Sequence, residues 1–219
     1  MGGVILFGVS SPIVVDFEES LRRAGIPLIA GIRNRPEPSD LSPDVRILSP
    51  EELAAGLLDI PFLVPLFAPG HRYQATQEAR RHGLWQPFTL IDASVVAPRR
   101  LEVGAGTFIN TGCTLGGAST FGSFVFINRG ANIGHHAKFG DFVSIGPGVS
   151  IAGKVTVGTG CVVATGASIL PSISLGANCV VGAGAVVTRD VPDGCLVVGN
   201  PARIVRRNIG GYKGLIVVA

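Results

Sequence analysis

Histidine is scarce in this chain, with four copies in 219 residues, and two of them stand side by side as His135 and His136. An imidazole takes up and releases protons close to neutrality, with an unperturbed pKa near 6.5, so a positioned histidine suits general-base chemistry. Two adjacent imidazoles discourage double protonation, which makes His135 a weaker base unless an acid such as Asp141, or one from a neighbouring chain, assists it. The plain alternative is a pair of exposed polar turn residues. A zinc centre would need three histidines on neighbouring turns, whereas the repetitive stretch holds only His135 and His136, so no metal is expected.

The segment that must position these histidines has a six-residue rhythm. From Val103 onward the chain reads VGAGTF, INTGCT, LGGAST, FGSFVF, INRGAN, IGHHAK and so on, for fifteen hexads ending in VTRDVP from Val187. The first position is always Val, Ile, Leu or Phe, and the fifth is small or β-branched. Neither a helix of period 3.6 nor a strand of period 2 produces this pattern. A solenoid with three short strands per coil does: large aliphatics point inward, small side chains fit near the corners, and Gly or Asn turns the backbone. Eighteen residues make one coil, so fifteen hexads make about five. In that frame Gly153 lies one coil beyond His135 along the same face and could offer its N–H to a developing oxyanion or contact the bound substrate. Residues 147, 165 and 183 share a second column, and 135, 153, 171 and 189 lie on the next face.

Ahead of the repeat, strands alternate with helices. Strands are predicted at 4–9, 26–32 and 62–67, and helices at 14–23 and 73–81. Ser49-Pro50-Glu51-Glu52 has the form of a helix start. The pattern implies a small, Rossmann-like parallel sheet over residues 1–88, covered on both faces, with ligands at the strand C-termini. Those ends are Gly8-Val9-Ser10-Ser11, Arg33–Arg35 and Pro69-Gly70-His71-Arg72. A single Gly in the first of these loops is equally an ordinary strand–helix turn. A link over 88–97 feeds the repeat domain of 89–205, and a tail of 206–219 closes the chain.

Composition narrows the function classes. Charged residues are 15% of the chain and glycine numbers 31, so much surface must be buried in a repetitive core, a subunit interface or both. A net charge of +3 argues against nucleic acid and is compatible with an anionic small ligand. The apolar N-terminus has no basic residue before Arg22, unlike a signal peptide, and the uncharged stretch from Lys154 to Arg189 is rich in Gly, Ser and Thr and broken by Pro171. No membrane association is expected. The four cysteines read as buried thiols in a reducing cytoplasm, because parallel side chains on stacked strands are poorly aimed for a disulfide.

The hexads resemble those of left-handed β-helix, hexapeptide-repeat proteins. The run Ile127-Asn128-Arg129-Gly130-Ala131-Asn132-Ile133-Gly134-His135, continued by Phe139-Gly140-Asp141-Phe142-Val143-Ser144-Ile145-Gly146-Pro147-Gly148, is similar to the sialic-acid O-acetyltransferase and nucleotide-amino-sugar N-acetyltransferase family. The resemblance spans the chain and is strongest over 89–205. It implies a left-handed parallel β-helix behind an α/β domain, a homotrimer with sites in the clefts between β-helices, and acetyl-CoA as co-substrate with a sugar acceptor. The family's general base, seven residues after the Asn, falls on His135, with Asn128 and the loop residues Gly8, Ser10, Ser11, Arg33 and Gly70 toward the acceptor. Acetyl-CoA falls near Ser144, Thr165 and Ala183, beside Gly153. Gly199-Asn200-Pro201-Ala202-Arg203 resembles the ending that borders the CoA tail, where Arg203 could meet a phosphate, and it also reads as a turn closing the last coil.

The chain departs from that pattern in three places. His136 stands where the family often has Asp or Glu, Ser144 where relatives often have His, and Arg33-Asn34-Arg35 where acidic residues are usual. The arginines suggest an acidic or phosphorylated acceptor. The expectation is an acetyl-CoA-dependent sugar N- or O-acetyltransferase, with a non-catalytic trimer that binds sugar or CoA as the alternative.

Overall fold

A computed structural model describes residues 2–218. The first element is a four-stranded parallel sheet of β1 (Val4–Phe7), β2 (Leu28–Ile32), β3 (Ile47–Leu48) and β4 (Phe62–Leu63), in the order β3-β2-β1-β4. Side chains alternate across β1 as a strand requires. Val4 and Leu6 face helix α1 (Val14–Arg23), while Ile5 and Phe7 pack with Ala75 and Ala79 of a second helix. α1 covers the sheet because Val14, Phe17 and Leu21 make one apolar stripe, and Arg22 and Arg23 suit its C-terminal turn.

Three details of this region go beyond the sequence reading. The Ser49 segment forms a single turn of 3₁₀ helix (Pro50–Glu52), its start held by the Glu52 carboxylate accepting from Ser49 N–H at 2.7 Å. A short α2 (Ala55–Leu58) follows it. Helix α3 begins at Pro69, one turn earlier than predicted, because proline's missing N–H costs nothing in the first turn. β3, two residues long, has too little sequence to betray itself.

From Leu90 to Val187 the chain winds as a three-sided parallel β-helix. Each side is a column of two-residue strands whose partners are eighteen residues apart: Ile109, Ile127, Ile145, Val163 and Val181 on one side, and Leu115, Ile133, Ile151, Ile169 and Val187 on the next. Phe121, Phe139, Val157 and Leu175 line the third. These side chains fill one continuous core together with the fifth-position residues Cys113, Ala131, Val149, Ala167 and Ala185. The repeat starts two hexads before Val103, since Leu90–Ile91 pairs with Phe108–Ile109 and Val95 and Leu101 pack on the core. It ends early as well. Val191 bridges to Leu175 sixteen residues back, so the last hexad is cut to four residues and Val191 points inward in the first position rather than the fifth.

Beyond that point Leu196–Val198 pairs antiparallel with Arg203–Arg206 through the cis Asn200–Pro201 turn, closing the barrel end. The tail returns along the outside, where Val217 exchanges two backbone hydrogen bonds with the Asn178 amide. Cys113, Cys161, Cys179 and Cys195 are buried and unpaired. Among the described residues, no helix is long and apolar enough to cross a membrane.

The α/β region sits on one side of the β-helix, and the outward residues of that side explain why. Phe108, Phe126 and Val162 project there and are buried, whereas Thr114, Asn132 and Ser150 occupy the same hexad position on the next side and are exposed. Phe17 of α1 stacks on Phe108 with ring centroids 3.9 Å apart, and Phe67 meets Phe126 edge-on at 5.4 Å.

Polar contacts fasten the joint. The Asp92 carboxylate accepts from Ser20 Oγ at 2.6 Å, from Arg23 Nη2 at 2.6 Å and from Ser94 N–H at 2.9 Å. Burial alone would raise this carboxyl, but those donors outweigh it and hold Asp92 well below the usual carboxylate range. Asp16 of α1 binds Arg129 and accepts from Asn110 Nδ2 at 3.0 Å.

Candidate active site

His135 and His136 lie at the corner between the strands Asn132–Ile133 and Lys138–Phe139. Coils stack closely at Gly116 and Gly134: a Cβ on Gly116 would fall 2.3 Å from the His135 backbone nitrogen, and one on Gly134 2.5 Å from the Ala152 carbonyl carbon. The turn is made by a left-handed residue in every coil, with φ of +59° at Ala118, +56° at His136, +63° at Lys154 and +63° at Ser172. A backbone ladder sets the corner: His136 N–H donates to Gly117 O at 2.9 Å, Lys154 N–H to His135 O at 2.8 Å and Ser172 N–H to Gly153 O at 3.0 Å.

The His135 ring lies over Gly153. A Cβ on Gly153 would stand 2.7 Å from both Nε2 and Cε1 of His135, so only glycine leaves the imidazole its place. The N–H of Gly153 donates to no protein acceptor among the described residues, leaving it free beside the ring. The two imidazoles meet through their Nδ1 atoms at 2.9 Å, with ring planes 89° apart. Both side chains are exposed. Asp141 does not assist them, because it sits on another corner, where its carboxylate accepts from Ser123 N–H at 2.7 Å. Among the described residues no carboxylate pairs with either ring, and no cluster of His, Cys, Asp and Glu could hold a metal ion.

Other expected site residues gather into separate hollows. Gly8, Ser10, Ser11, Arg35 and His71 line a cavity of about 360 Å³ at the C-terminal ends of the sheet strands. Its floor is fixed by Ser10 Oγ donating to Glu37 O at 2.9 Å and by Gly8, whose φ of +88° makes the turn out of β1. Burial first, then the nearby Lys213 and Arg35 cations, push His71 below the ordinary imidazole value. Asn128 and Thr165 share a second hollow of about 270 Å³ with Ile13, Phe67, Pro147 and Tyr212. Asn128 is held by its oxygen, which accepts from Asn110 Nδ2 at 3.1 Å and Arg129 N–H at 2.8 Å. Ala183 is exposed one coil beyond Thr165. Arg203 is exposed too and faces a third hollow with Arg189. The His135 corner and the Thr165 corner bound opposite ends of the side that carries Asn132, Ser150 and Ser168.

Three placements differ from expectation. Ser144 is completely buried under the α/β region, with Oγ donating to Phe67 O at 2.6 Å and accepting from Arg72 Nη2 at 2.9 Å, so it has no surface to offer a coenzyme. Gly70 turns away from the sheet cavity, since a Cβ there would strike Leu215 of the tail at 2.3 Å. Arg33 opens onto a neighbouring shallow hollow, and Arg35 takes the place in the cavity that either arginine could have filled.

Arg72, grouped by sequence with the ligand loops, instead points into the joint and is 2% exposed. It donates to the carbonyls of Leu66, Phe67, Phe124, Phe142 and Val143 as well as to Ser144. With no carboxylate among these partners, burial pulls its pKa down to about 9.

No protein-family model matches the sequence, nor does any curated protein. Solved structures do match, over nearly the full length. The chain is 28% identical to the perosamine N-acetyltransferase PerB of Caulobacter crescentus, solved with CoA and GDP-perosamine, with a TM-score of 0.83 covering 94% of this chain and 98% of that one. That enzyme was also solved with one histidine replaced by asparagine or by alanine. The acetyltransferase domain of PglB from Neisseria gonorrhoeae, in complex with acetyl coenzyme A, matches at 22% identity and a TM-score of 0.81 over 93% of this chain and 98% of that one. WeeI from Acinetobacter baumannii matches at 23% and 0.81, over 94% and 100%. At such identities the latter two speak for the fold. The resemblance to hexapeptide-repeat sugar acetyltransferases therefore holds in three dimensions, including the left-handed β-helix.

Proposed function

We propose that this protein transfers the acetyl group of acetyl-CoA to an amino group of a sugar, with His135 as general base. The observation that carries the reading is the His135 ring, its Nε2 lying over Gly153 beside a free backbone N–H. The whole-length likeness to an enzyme solved with CoA and GDP-perosamine supports an amine acceptor over a hydroxyl. Acetyl-CoA is an activated thioester, so catalysis needs alignment and proton removal more than activation. The acceptor nitrogen attacks the thioester carbon and yields its proton to His135 Nε2. The tetrahedral oxyanion takes a hydrogen bond from Gly153 N–H. When the C–S bond breaks, the departing thiolate recovers that proton from the imidazolium, leaving CoA as the thiol.

In this reading residues 1–88 are a Rossmann-like acceptor-binding domain, and 89–205 the acyltransferase β-helix. Gly8, Ser10, Ser11, Arg35, Glu37 and His71 line a polar cavity for the acceptor, in which Arg35 would meet a phosphate of a nucleotide-linked sugar. Within one chain the His135 and Thr165 corners lie at opposite ends of one side of the β-helix. A neighbouring copy in a homotrimer supplies the second corner, with Asn128, Thr165 and Ala183 on one β-helix facing His135 and Gly153 on the next, and Arg203 near the coenzyme's phosphates. The four unpaired thiols suit a reducing compartment such as the cytoplasm.

The test is an acceptor screen that follows free-thiol release from acetyl-CoA across nucleotide-linked amino sugars and free sugars, run beside His135→Ala. The variant should lose about 10²-fold or more in turnover while binding CoA normally. An unchanged rate rejects His135 as base. Acetyl-CoA binding with no turnover on any acceptor would favour a non-catalytic trimer.

A further inference from the structure

We infer that His136 is a positioning residue that fixes the tautomer of His135, doing with an imidazole what a carboxylate does beside many catalytic histidines. The inference rests on His135 being the base and adds what makes that ring basic on the correct side. The Nδ1–Nδ1 separation of 2.9 Å is a hydrogen bond, and a hydrogen bond between two nitrogens requires one to carry the proton and the other to lack it. If His135 Nδ1 is the donor, its Nε2, the atom over Gly153, keeps a lone pair. If His136 were the donor, His135 Nε2 would carry hydrogen and could accept nothing. Which nitrogen of a histidine is protonated follows from the hydrogen bond made by the other. The productive arrangement therefore has His136 as acceptor at Nδ1, with its own proton on Nε2.

The backbone prepares His136 for this part. His136 is the left-handed residue of its corner, with φ of +56° and its N–H bonded to Gly117 O at 2.9 Å, and from there its ring crosses that of His135 at 89° with the two Nδ1 atoms 2.9 Å apart. No other side chain among the described residues bonds to His135. Once His135 has taken the acceptor's proton it becomes an imidazolium, and the same contact becomes a charge-assisted hydrogen bond to a neutral ring. His136 thus serves both protonation states of its partner and itself exchanges no proton with the substrate.

Two substitutions separate this role from the alternatives. In His136→Asn, the side-chain oxygen lies as many bonds from the backbone as His Nδ1 and still accepts, and Asn tolerates the left-handed backbone. In His136→Gly the acceptor is gone, but the backbone conformation is favoured, so the corner stays folded. Turnover should fall about tenfold or more in the Gly variant, with the KM for acetyl-CoA unchanged, and return to within about threefold of the parent in the Asn variant. An independent readout needs no acceptor: imidazole nitrogen NMR shifts of the intact protein in alkaline buffer should show His135 protonated at Nδ1 and His136 at Nε2. The Asn variant should preserve the His135 tautomer and the Gly variant lose it. The inference is overturned if the Gly variant turns over normally, if Asn is as slow as Gly, or if His135 carries its hydrogen on Nε2. Should no acceptor be found at all, the NMR result still decides the tautomer, whereas the proposed activity would fall by itself.

Discussion

In the β-helix a residue's surroundings follow from its number, and in the α/β region they do not. Positions eighteen apart are stacked neighbours throughout the repeat, so Gly153 under His135 is legible from spacing alone. In the α/β region each contact is made once. Helix α1 matches its predicted span because three turns of apolar stripe announce it, while β3 shows nothing in two residues. A periodic scaffold places side chains by translation. An irregular one places them by particular contacts that leave no period to read.

The joint between the regions tests this difference most severely, and Arg72 is its centre. Replacing it with Met would remove the donor that the carbonyls of Leu66, Phe124 and Phe142 receive from its guanidinium, while Phe67 O keeps Ser144 Oγ and Val143 O keeps Phe126 N–H. The expected loss is about 3–5 kcal/mol of unfolding free energy, read by denaturant titration. A variant as stable as the parent would mean that the aromatic contacts and the Asp92 and Asp16 contacts hold the two regions together without Arg72.

Gly153→Ala asks whether the periodic column sets the place of the His135 ring, the proposed base. The new Cβ meets the far end of a movable side chain, so the coil should remain folded while the His135 ring is pushed aside. Turnover should fall by about 10- to 100-fold, since small misplacements of a reacting group are costly, with little change in melting temperature. Full activity would show that the imidazole need not lie over this glycine.

Much of the remaining site was hidden for definable reasons. The docking side could have been read: the outward residues Phe108, Phe126 and Val162 are apolar where other sides carry Thr, Asn and Ser. Nothing comparable marks Arg72, because a buried arginine satisfied by carbonyls has no partner residue to look for. The truncated last coil was obscured because VTRDVP fits the hexad by composition although Val191 pairs sixteen residues back.

Asp92 offers a smaller test by acid. Its folded carboxyl lies below the unfolded value near 3.9, so its stabilising effect is complete above that pH and fades as pH falls below it. Asp92→Asn should cost about 1–2 kcal/mol at pH 7, and the gap between variant and parent should narrow in unfolding measured below pH 4. A gap that persists unchanged into acid would assign the loss to packing rather than to the charge.

Ser144 carries the smallest expected effect and the cleanest contrast between family pattern and local contact. By the family pattern it borders the coenzyme; by its contacts it belongs to the joint, bonded to Phe67 O and Arg72 and closed off from solvent. The hexad arithmetic favours the joint, because the outward position on this side is the one roofed by α1 and Phe67. Ser144→Ala should therefore leave the KM for acetyl-CoA within about twofold while lowering stability by roughly 1 kcal/mol, the usual worth of a buried hydroxyl's hydrogen bonds. A raised KM at unchanged stability would show the roof opening over this coil when coenzyme binds, and the periodic and irregular regions would then share the site rather than divide it.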